Sequence, residues 1–325
     1  MSEAKTDIGR KSATRRVALL RYEKCSEAAI AGVFEALQIA NVVAARKAGN
    51  PRRFEVAVVG SSELAARRSP AYDVLVVPPM WYFTASQTEA RIEALQPEIR
   101  VLREASTRFS IVSSACSGAV LLAEAGLLDG RTAITSWWLG GWFRKRYRRV
   151  SLNVGESFIK SGKIWTTAAY ASFFHLALEL VRTHLGDATM RLTAKLLLVE
   201  PQPTRQSAFL DSGEYLPGDD LVKAALSLVR KRLVSGITGE ELAKNLGVTE
   251  RTLLRRFRND LGRSPTAVVQ AMRVEKAKKL LAETNHPFAH IVTECGREDA
   301  RSFRRLFVEA VGLSPTEYRR RFRLR

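Results

Sequence analysis

The stretch 237–257, ITGEELAKNLGVTERTLLRRF, decides the fold of the C-terminal part of the chain. Thr238 is followed three residues later by Glu241, a capping box that predicts the start of a short helix. Gly247 interrupts the apolar pattern, because glycine turns freely into positive φ. Thr249 can cap a second helix. Two short helices joined at a glycine turn predict a helix-turn-helix, whose second helix enters a DNA major groove.

The same plan recurs 50 residues downstream. Phe257 and Phe307 each precede a Ser-Pro pair by the same interval, and the prolines, Pro265 and Pro315, share the 50-residue spacing. One such motif is weak evidence, since many helical hairpins look similar, and the repetition makes it specific. Between the copies, a helix from Pro265 to about Ala282 would span roughly 30 Å. Successive major-groove faces lie about 34 Å apart, so one rigid helix can set both recognition helices on adjacent grooves.

Residues 221–322 resemble the AraC/XylS family of transcription regulators, whose DNA-binding domain has two helix-turn-helix units joined by a linker helix. Both glycine turns and both Ser-Pro helix starts match. Arg297 departs from the family, which usually has phenylalanine after the second glycine. The resemblance implies base-reading residues at Arg251, Leu254 and Arg255 in the first unit, and at Ala300, Arg301 and Arg305 in the second. For each arginine, a phosphate contact or a solvated helix face stays an alternative, since half or more of protein–DNA hydrogen bonds go to the backbone.

Composition is compatible with this interpretation. The chain has 325 residues, enough for two domains with full cores, and a net charge of +19 that suits a polyanionic partner. The basic residues are spread through both halves, so charge alone does not locate the DNA-binding end. No apolar run of the length that spans a bilayer, and no signal peptide, is apparent. Three widely spaced cysteines indicate a reducing cytoplasm rather than a disulfide framework.

The N-terminal half alternates apolar runs with helical patterns, which predicts a parallel sheet with helices on both faces. We expect strands at 17–22, 54–59, 73–77, 109–113, 132–135 and 163–167. We expect helices at 26–48, 87–106, 137–147, 172–185 and 187–199, with a loop at 61–70. The expected domains are a flexible tail at 1–14, an α/β domain at 15–200, a linker at 201–218 and an all-α DNA-binding domain at 219–325.

A second motif, Ala115-Cys116-Ser117-Gly118, joins an expected strand to an expected helix. A nucleophile-type side chain between small residues at such a turn is typical of a nucleophile elbow, with the thiol against the positive end of a helix. Ligands of open α/β sheets bind at this carboxyl edge. The continuation and the order of strands resemble the class I glutamine amidotransferase-like (DJ-1/PfpI) domain, a flavodoxin-like fold. With an AraC-type domain behind it, the chain resembles the GlxA-type regulators over nearly its full length.

A cysteine hydrolase needs a base and a group that orients the base. Enzymes of this superfamily have a histidine beside or close after the nucleophile. Here the neighbour is Ser117, and the downstream position at which GlxA-type proteins often carry histidine is Ser136, before Trp137. The family's acidic residue on the first helix falls on Ala29. We therefore expect no enzymatic activity, no cofactor and no metal, and a ligand pocket at Cys116. A purely structural cysteine stays an alternative.

Aromatic side chains follow two of the expected strands. Trp81-Tyr82-Phe83 and Trp137-Trp138 would border the same sheet edge, where they could wall a pocket for an amine or amino-acid derivative by cation–π attraction. Core and dimer packing is the alternative. The candidate ligand-binding residues are Cys116, Ser117, Trp81, Ser136 and Trp137.

These patterns together predict a cytoplasmic, sequence-specific transcription regulator, an activator that works as a homodimer. Its expected partners are double-stranded operator DNA, a small-molecule effector and RNA polymerase, with no membrane. Two other classes stay open: a cysteine-dependent amidase or peptidase fused to a DNA-binding domain, and a DNA binder that responds to no ligand.

Overall fold

The computed structural model of the chain describes residues 14–46, 52–66, 71–81, 85–201, 205–208, 219–261 and 263–323. Within these ranges the strands are β1 Thr14–Leu20, β2 Arg53–Val59, β3 Val74–Val77, β4 Ile111–Ala115, β5 Thr132–Ala133, β6 Ser151–Leu152, β7 Phe158–Ser161 and β8 Ile164–Thr167. The α-helices in the first two hundred residues are α1 Glu27–Ala45, α2 Ser61–Ala65, α3 Ala85–Ala94, α4 Gln96–Ala105, α5 Gly118–Glu124, α6 Gly140–Arg146, α7 Phe173–Leu185 and α8 Asp187–Leu197. The remaining α-helices are α9 Asp220–Lys231, α10 Gly239–Asn245, α11 Glu250–Leu261, α12 Pro265–Glu283, α13 Phe288–Glu294, α14 Ala300–Val311 and α15 Pro315–Phe322.

The chain forms two compact units. The first consists of Met1–Thr135 and Phe158–Pro203, and the second of Ser136–Ser157 and Thr204–Arg325. Helix α6 and strand β6 therefore belong to the second unit, although they lie between strands of the first in sequence. The domain boundaries expected from composition stay a prediction. The expected tail up to residue 13 and most of the expected linker lie outside the described residues.

The first unit is built on a six-stranded sheet with the order β2-β1-β3-β4-β8-β7. All neighbouring strands run parallel except β7 and β8, which are antiparallel. Strand β3, with the sequence VLVV, is buried along its whole length, as continuous apolar runs in parallel sheets are, and β8 is also fully buried. The predicted fold class, a parallel α/β unit followed by an all-α region, is confirmed.

Helix α1 is the longest helix of the first unit. Ser26 caps it, since its Oγ accepts a hydrogen bond from the backbone N–H of Ala29 at 3.1 Å. By length and composition alone this helix could cross a membrane, but Ile30, Val33 and Leu37 are buried in the fold. In this structure α1 is a core helix, packed against α7 and α8.

Two expectations for the first unit were wrong. The segment expected as a loop at 61–70 contains helix α2, capped at its start by backbone alone. The single helix expected at 87–106 is two helices, α3 and α4, that meet at Leu95 in a non-helical conformation. Pro97 stands in the first turn of α4, where its missing N–H costs nothing, and continuing α3 through it would lose a helical hydrogen bond. Strand β7 was not expected, because this edge strand is only partly buried.

The second unit has two hydrophobic clusters that share helix α12. Val268, Val269 and Met272, in its first half, pack in the cluster of α9, α10 and α11. Its second half packs in the cluster of α13, α14 and α15 through Val274 and Ala277. The cores of α11 and α14 repeat at the same spacing, with Leu253, Phe257 and Leu261 matched by Phe303, Phe307 and Val311. One continuous helix therefore serves both cores, and the predicted 50-residue repeat is confirmed.

Candidate functional site

The first helix-turn-helix has the caps that the sequence predicted. Thr238 Oγ1 accepts from the backbone N–H of Glu241 at 3.1 Å, and Glu241 Oε2 accepts from the N–H of Thr238 at 2.9 Å. Gly247 lies in the left-handed region at φ 66°. Thr249 Oγ1 then accepts from the N–H of Thr252 at 3.2 Å and caps α11. Hydrogen bonds and backbone conformation within a few residues therefore determine where both helices begin and where the turn between them lies.

Helix α11 buries one face and exposes the other. Leu253 and Phe257 lie in the core, whereas Arg251 and Arg255 are exposed and Leu254 is half-buried. This arrangement leaves the guanidinium groups of Arg251 and Arg255 accessible from solvent. Arginine is the commonest side chain to read guanine in the major groove, through two parallel hydrogen bonds.

Arg256 on the same helix is exposed too, but its guanidinium group has a partner within the protein. Its Nη1 donates to Asp219 Oδ2 over 2.7 Å. Asp219 is also the cap of α9, because its Oδ1 accepts from the backbone N–H groups of Leu221 and Val222. Burial acts to raise the pKa of Asp219, but the hydrogen bonds from Arg256 and these amides outweigh it, so the pKa lies below its usual value. Arg256 is therefore an intramolecular partner.

Helix α14 repeats this division. Asp299 caps it by accepting from the N–H groups of Arg301 and Ser302. Arg301 and Arg305 are exposed and Ala300 is half-buried. Arg304 is exposed too, but its guanidinium lies over the Phe288 ring at 5.2 Å from the centroid.

The turn of the second helix-turn-helix rests on a loop of the first. Gly296 has φ 71°, and a Cβ there would lie 2.5 Å from the carbonyl oxygen of Val234 and 2.7 Å from that of Leu233. Both residues belong to the connection between α9 and α10. The half-buried Arg297, which departs from the family pattern, still closes the turn through its N–H to the carbonyl of Val292 at 3.1 Å. Besides α12, this close backbone approach joins the two helix-turn-helix units.

In the first unit, the predicted elbow stands at the carboxyl edge of the sheet. Cys116 is a buried non-glycine residue at φ 53°, and its N–H donates to the carbonyl of Thr167 at 3.1 Å. Ser117 Oγ accepts from the N–H of Met80 at 2.9 Å and donates to the carbonyl of Met80 at 3.0 Å. At Gly118, a Cβ would lie 2.6 Å from the carbonyl oxygen of Val77. The loop after β3 is thus fastened to the elbow.

Two side chains at this edge, those of Tyr170 and Ser26, were not predicted as site residues. The ring of Trp81 lies 5.5 Å from that of Tyr170, and Trp81 is half-exposed. The Tyr170 hydroxyl hydrogen-bonds Ser26 Oγ at 2.6 Å. Ser26 was visible in the sequence only as a helix start, and Tyr170 carries no local signal, because the contact joins residues far apart in the chain.

The predicted ligand residues are not all in one unit. The structure places Cys116, Ser117 and Trp81 in the first unit. Ser136 and Trp137 belong to the second unit, where Ser136 is buried and the ring of Trp137 meets that of Trp138 edge-on at 5.4 Å. Tyr82 and Phe83 lie outside the described residues.

Ala29 occupies the position at which the family resembled by this domain has an acidic residue, and its surroundings are apolar. Ala29 is buried and lines, with Ala115, Pro78 and Phe173, a cavity with room for about one water molecule. Of the two histidines in this unit, His184 is hydrogen-bonded to the carbonyl of Arg53 at 3.2 Å. His175 lies on α7, where burial lowers its pKa in spite of Glu200. The immediate surroundings of this cavity thus offer a bound molecule apolar contacts and no carboxylate.

Comparison with known proteins supports the assignment of the second unit. A model described as "Helix-turn-helix domain" matches residues 242–321. The HTH-type transcriptional regulator CdhR of Pseudomonas aeruginosa is 28% identical over 205 residues, which are 62% of this chain and 61% of that protein. The chain thus spans about three fifths of the length of this curated relative.

Two solved structures are similar to part of the chain. An AraC family transcriptional regulator from Pseudomonas putida is 18% identical, covers 56% of this chain and 99% of its own, and has a TM-score of 0.44. Drosophila melanogaster DJ-1beta is 15% identical, covers 57% of this chain and 99% of its own, and also has a TM-score of 0.44. Residues 242–321, which contain both repeated helices α11 and α14, thus match a helix-turn-helix domain, and the chain is similar to a named HTH-type transcriptional regulator.

Proposed function

We propose that this DNA-binding regulator activates transcription by binding a specific operator through both recognition helices, α11 and α14, and by recruiting RNA polymerase. One observation carries the proposal: each of these helices buries an apolar face in its own core and exposes a pair of arginines at matching positions of the repeat. The exposed pairs are Arg251 with Arg255, and Arg301 with Arg305. Leu254 and Ala300, half-buried beside them, would supply apolar contacts to thymine methyl groups.

The spacing of the two helices supports simultaneous binding. Helix α12 has 19 residues, so it is roughly 28 Å long. Its two halves lie in the two cores, which means that neither helix-turn-helix can shift without disturbing packed side chains of α12. Adjacent major-groove faces are separated by about 34 Å, and this distance is compatible with one recognition helix in each.

The proposal extends to control by a small molecule, an amine or amino-acid derivative, bound at the carboxyl edge of the sheet. Three features support it: the strained backbone of Cys116, the loop fastened by Ser117, and the paired rings of Trp81 and Tyr170. Strained backbone is concentrated at binding and switch sites, and a half-exposed indole attracts cations. The ligand role expected for Ser136 and Trp137 stays a prediction. Neither a catalytic role for Cys116 nor a cofactor is part of this proposal.

In this mechanism, effector binding changes the relative populations of different arrangements of a pair of chains. The first unit is proposed to pair two copies of the chain, and a ligand that favours one arrangement of the pair changes how the two DNA-binding units are spaced. Because the partner is genomic DNA, we place the protein in the cytoplasm.

The proposal is tested with the full chain. DNA selected from a random pool should contain a reproducible motif, and binding to it should weaken steeply with salt, since phosphate contacts release counterions. The selected site should be bound at least roughly a thousandfold more tightly than scrambled DNA. Equal affinity for both would refute sequence-specific regulation. A melting screen against amines and amino-acid derivatives tests effector control separately, since a ligand of the native state raises Tm.

A further inference from the structure

Three side chains at the start of the second helix-turn-helix form a cluster that the proposed function does not use. His286 precedes α13, and His290 and Glu294 lie one turn apart on it. His286 Nδ1 lies 3.1 Å from Glu294 Oε1, and His290 Nε2 lies 2.8 Å from the same oxygen. One ligand atom from each residue lies within 4.8 Å of the others. We propose that His286, His290 and Glu294 bind a divalent transition-metal ion, with zinc as the best fit.

The separations suit such an ion. Zinc lies about 2.0–2.2 Å from histidine nitrogen and carboxylate oxygen, so tetrahedral ligand atoms are roughly 3.3 Å apart. Two of the three separations are already close to this value. The imidazole rings of His286 and His290 are perpendicular, with centroids 4.6 Å apart, so small side-chain rotations bring the third pair into range.

The backbone at both ends of the cluster is held by other helices. Arg319 on α15 donates from Nη2 to the carbonyl of His286 at 2.5 Å, and the N–H of His286 donates to Thr284 Oγ1 at 3.3 Å. Lys276 on α12 donates from Nζ to the carbonyl of Glu294 at 2.5 Å. These hydrogen bonds therefore fix the backbone at both ends of the cluster, and the side chains of the three ligands are accessible from solvent.

The donor set selects the class of metal. Two imidazole nitrogens and one carboxylate oxygen suit zinc, cobalt and nickel, whereas magnesium and calcium prefer oxygen ligands alone. Without a metal, two imidazoles converge on a single carboxylate oxygen. A bound ion would use all three groups at once and leave its fourth position to water.

Such an ion would link His286, in the connection between α12 and α13, to His290 and Glu294 on α13. Because α13 packs against α14, the recognition helix of the second helix-turn-helix, metal binding would stabilise that helix-turn-helix. This inference concerns a site separate from the DNA-contacting arginines and from the sheet edge, and it stands or falls independently of the proposed effector.

The test uses cobalt(II) as a spectroscopic probe on the full chain, followed by displacement with zinc. We expect one equivalent to bind with visible d–d bands and without a thiolate charge-transfer band, and Tm to rise with zinc but not with magnesium. His286→Gln and His290→Gln should each weaken binding at least roughly tenfold. Glu298→Gln removes an exposed carboxylate from the following turn and is the matched control, which should bind as the wild type does.

Binding that survives both histidine substitutions, a thiolate band, or the absence of a saturable equivalent would overturn the proposal. The variants carry substitutions at exposed side chains, and their folding is checked by Tm without metal. Without metal, the Tm of each variant should stay close to that of the wild type. Surface substitutions usually change the free energy of unfolding by only about a few tenths of a kcal/mol. A large loss of metal-free stability in both would show that the cluster is structural and would also overturn it.

Discussion

Arg256 Nη1 donates a hydrogen bond to Asp219 Oδ2 over 2.7 Å, and this contact ties the recognition helix α11 to the cap of α9. The exposed arginines of α11 are thereby divided into Arg256, which has an intramolecular carboxylate partner, and Arg251 and Arg255, which are proposed to contact bases. The division decides which substitutions should affect DNA sequence preference and which should affect stability.

Replacing Arg251 or Arg255 with alanine should reduce the preference for selected over scrambled DNA, because each variant no longer recognises the bases that the arginine contacts. A bidentate arginine–guanine pair is worth about 1–3 kcal/mol of discrimination, so each variant should lose roughly 5- to 150-fold in the affinity ratio. Fluorescence anisotropy with both DNAs measures this ratio. Arg258→Ala, an exposed arginine of the same helix, is the control. Unchanged discrimination in both variants would remove α11 from base recognition.

The ion pair of Asp219 should make stability depend on pH. The pKa of Asp219 in the folded state lies below its ordinary value, so its contribution is fully present above that value, near pH 4, and is lost as pH falls through the folded pKa. Arg256→Gln should therefore lower Tm at neutral pH, and the difference from wild type should shrink in acid. Arg258→Gln serves as the control. A difference that stays constant down to pH 3 would show that charge is not the cause.

The tight packing around Gly118 in the elbow predicts that one added methyl group there strongly lowers stability. At Gly118 an added Cβ would lie 2.6 Å from the carbonyl oxygen of Val77 and 2.7 Å from that of Pro78, both backbone atoms that cannot yield. Gly118→Ala should destabilise the first unit by about 1–3 kcal/mol, as overpacking does. At Gly60, the nearest atom is 3.9 Å away, so Gly60→Ala should have little effect. Equal midpoints of urea unfolding for the two variants would contradict this packing.

The second glycine turn should be less tolerant than the first. Gly247 and Gly296 both have positive φ, where alanine costs roughly 1–2 kcal/mol. Only the second turn adds a steric conflict, because a Cβ at Gly296 meets the carbonyls of Leu233 and Val234, whereas nothing lies within 4 Å at Gly247. Gly296→Ala should therefore lower Tm further than Gly247→Ala and weaken DNA binding. The reverse order in a thermal melt would mean that the two turns are not joined as described.

Local sequence was sufficient where local chemistry makes the structure. The capping boxes at Thr238 and Ser314 and the left-handed glycines at 247 and 296 were predictable, since each depends on residues within four positions. The parallel sheet was predictable from continuous apolar runs. The break between α3 and α4 was not recognised, although Pro97 signals it.

Contacts between distant residues could not be predicted in this way. Lys145 Nζ lies 3.0 Å from Asp260 Oδ1, so a segment from the N-terminal half packs on the first helix-turn-helix within the second unit. Periodicity shows that α6 and α11 are helices but not that they meet. The same reason hid the Tyr170–Ser26 hydrogen bond and the partner of Arg256. The His286 cluster was missed although its spacing of four residues is helical.

Contact mapping on selected DNA tests the central claim most directly, which is that one linker helix sets two recognition helices on the same duplex. Guanine-methylation interference with the full chain should show two clusters of contacts about one helical turn apart, roughly 10 base pairs. Arg251→Ala should erase one cluster and Arg301→Ala the other. A single cluster, or the loss of both clusters in either variant, would contradict the account.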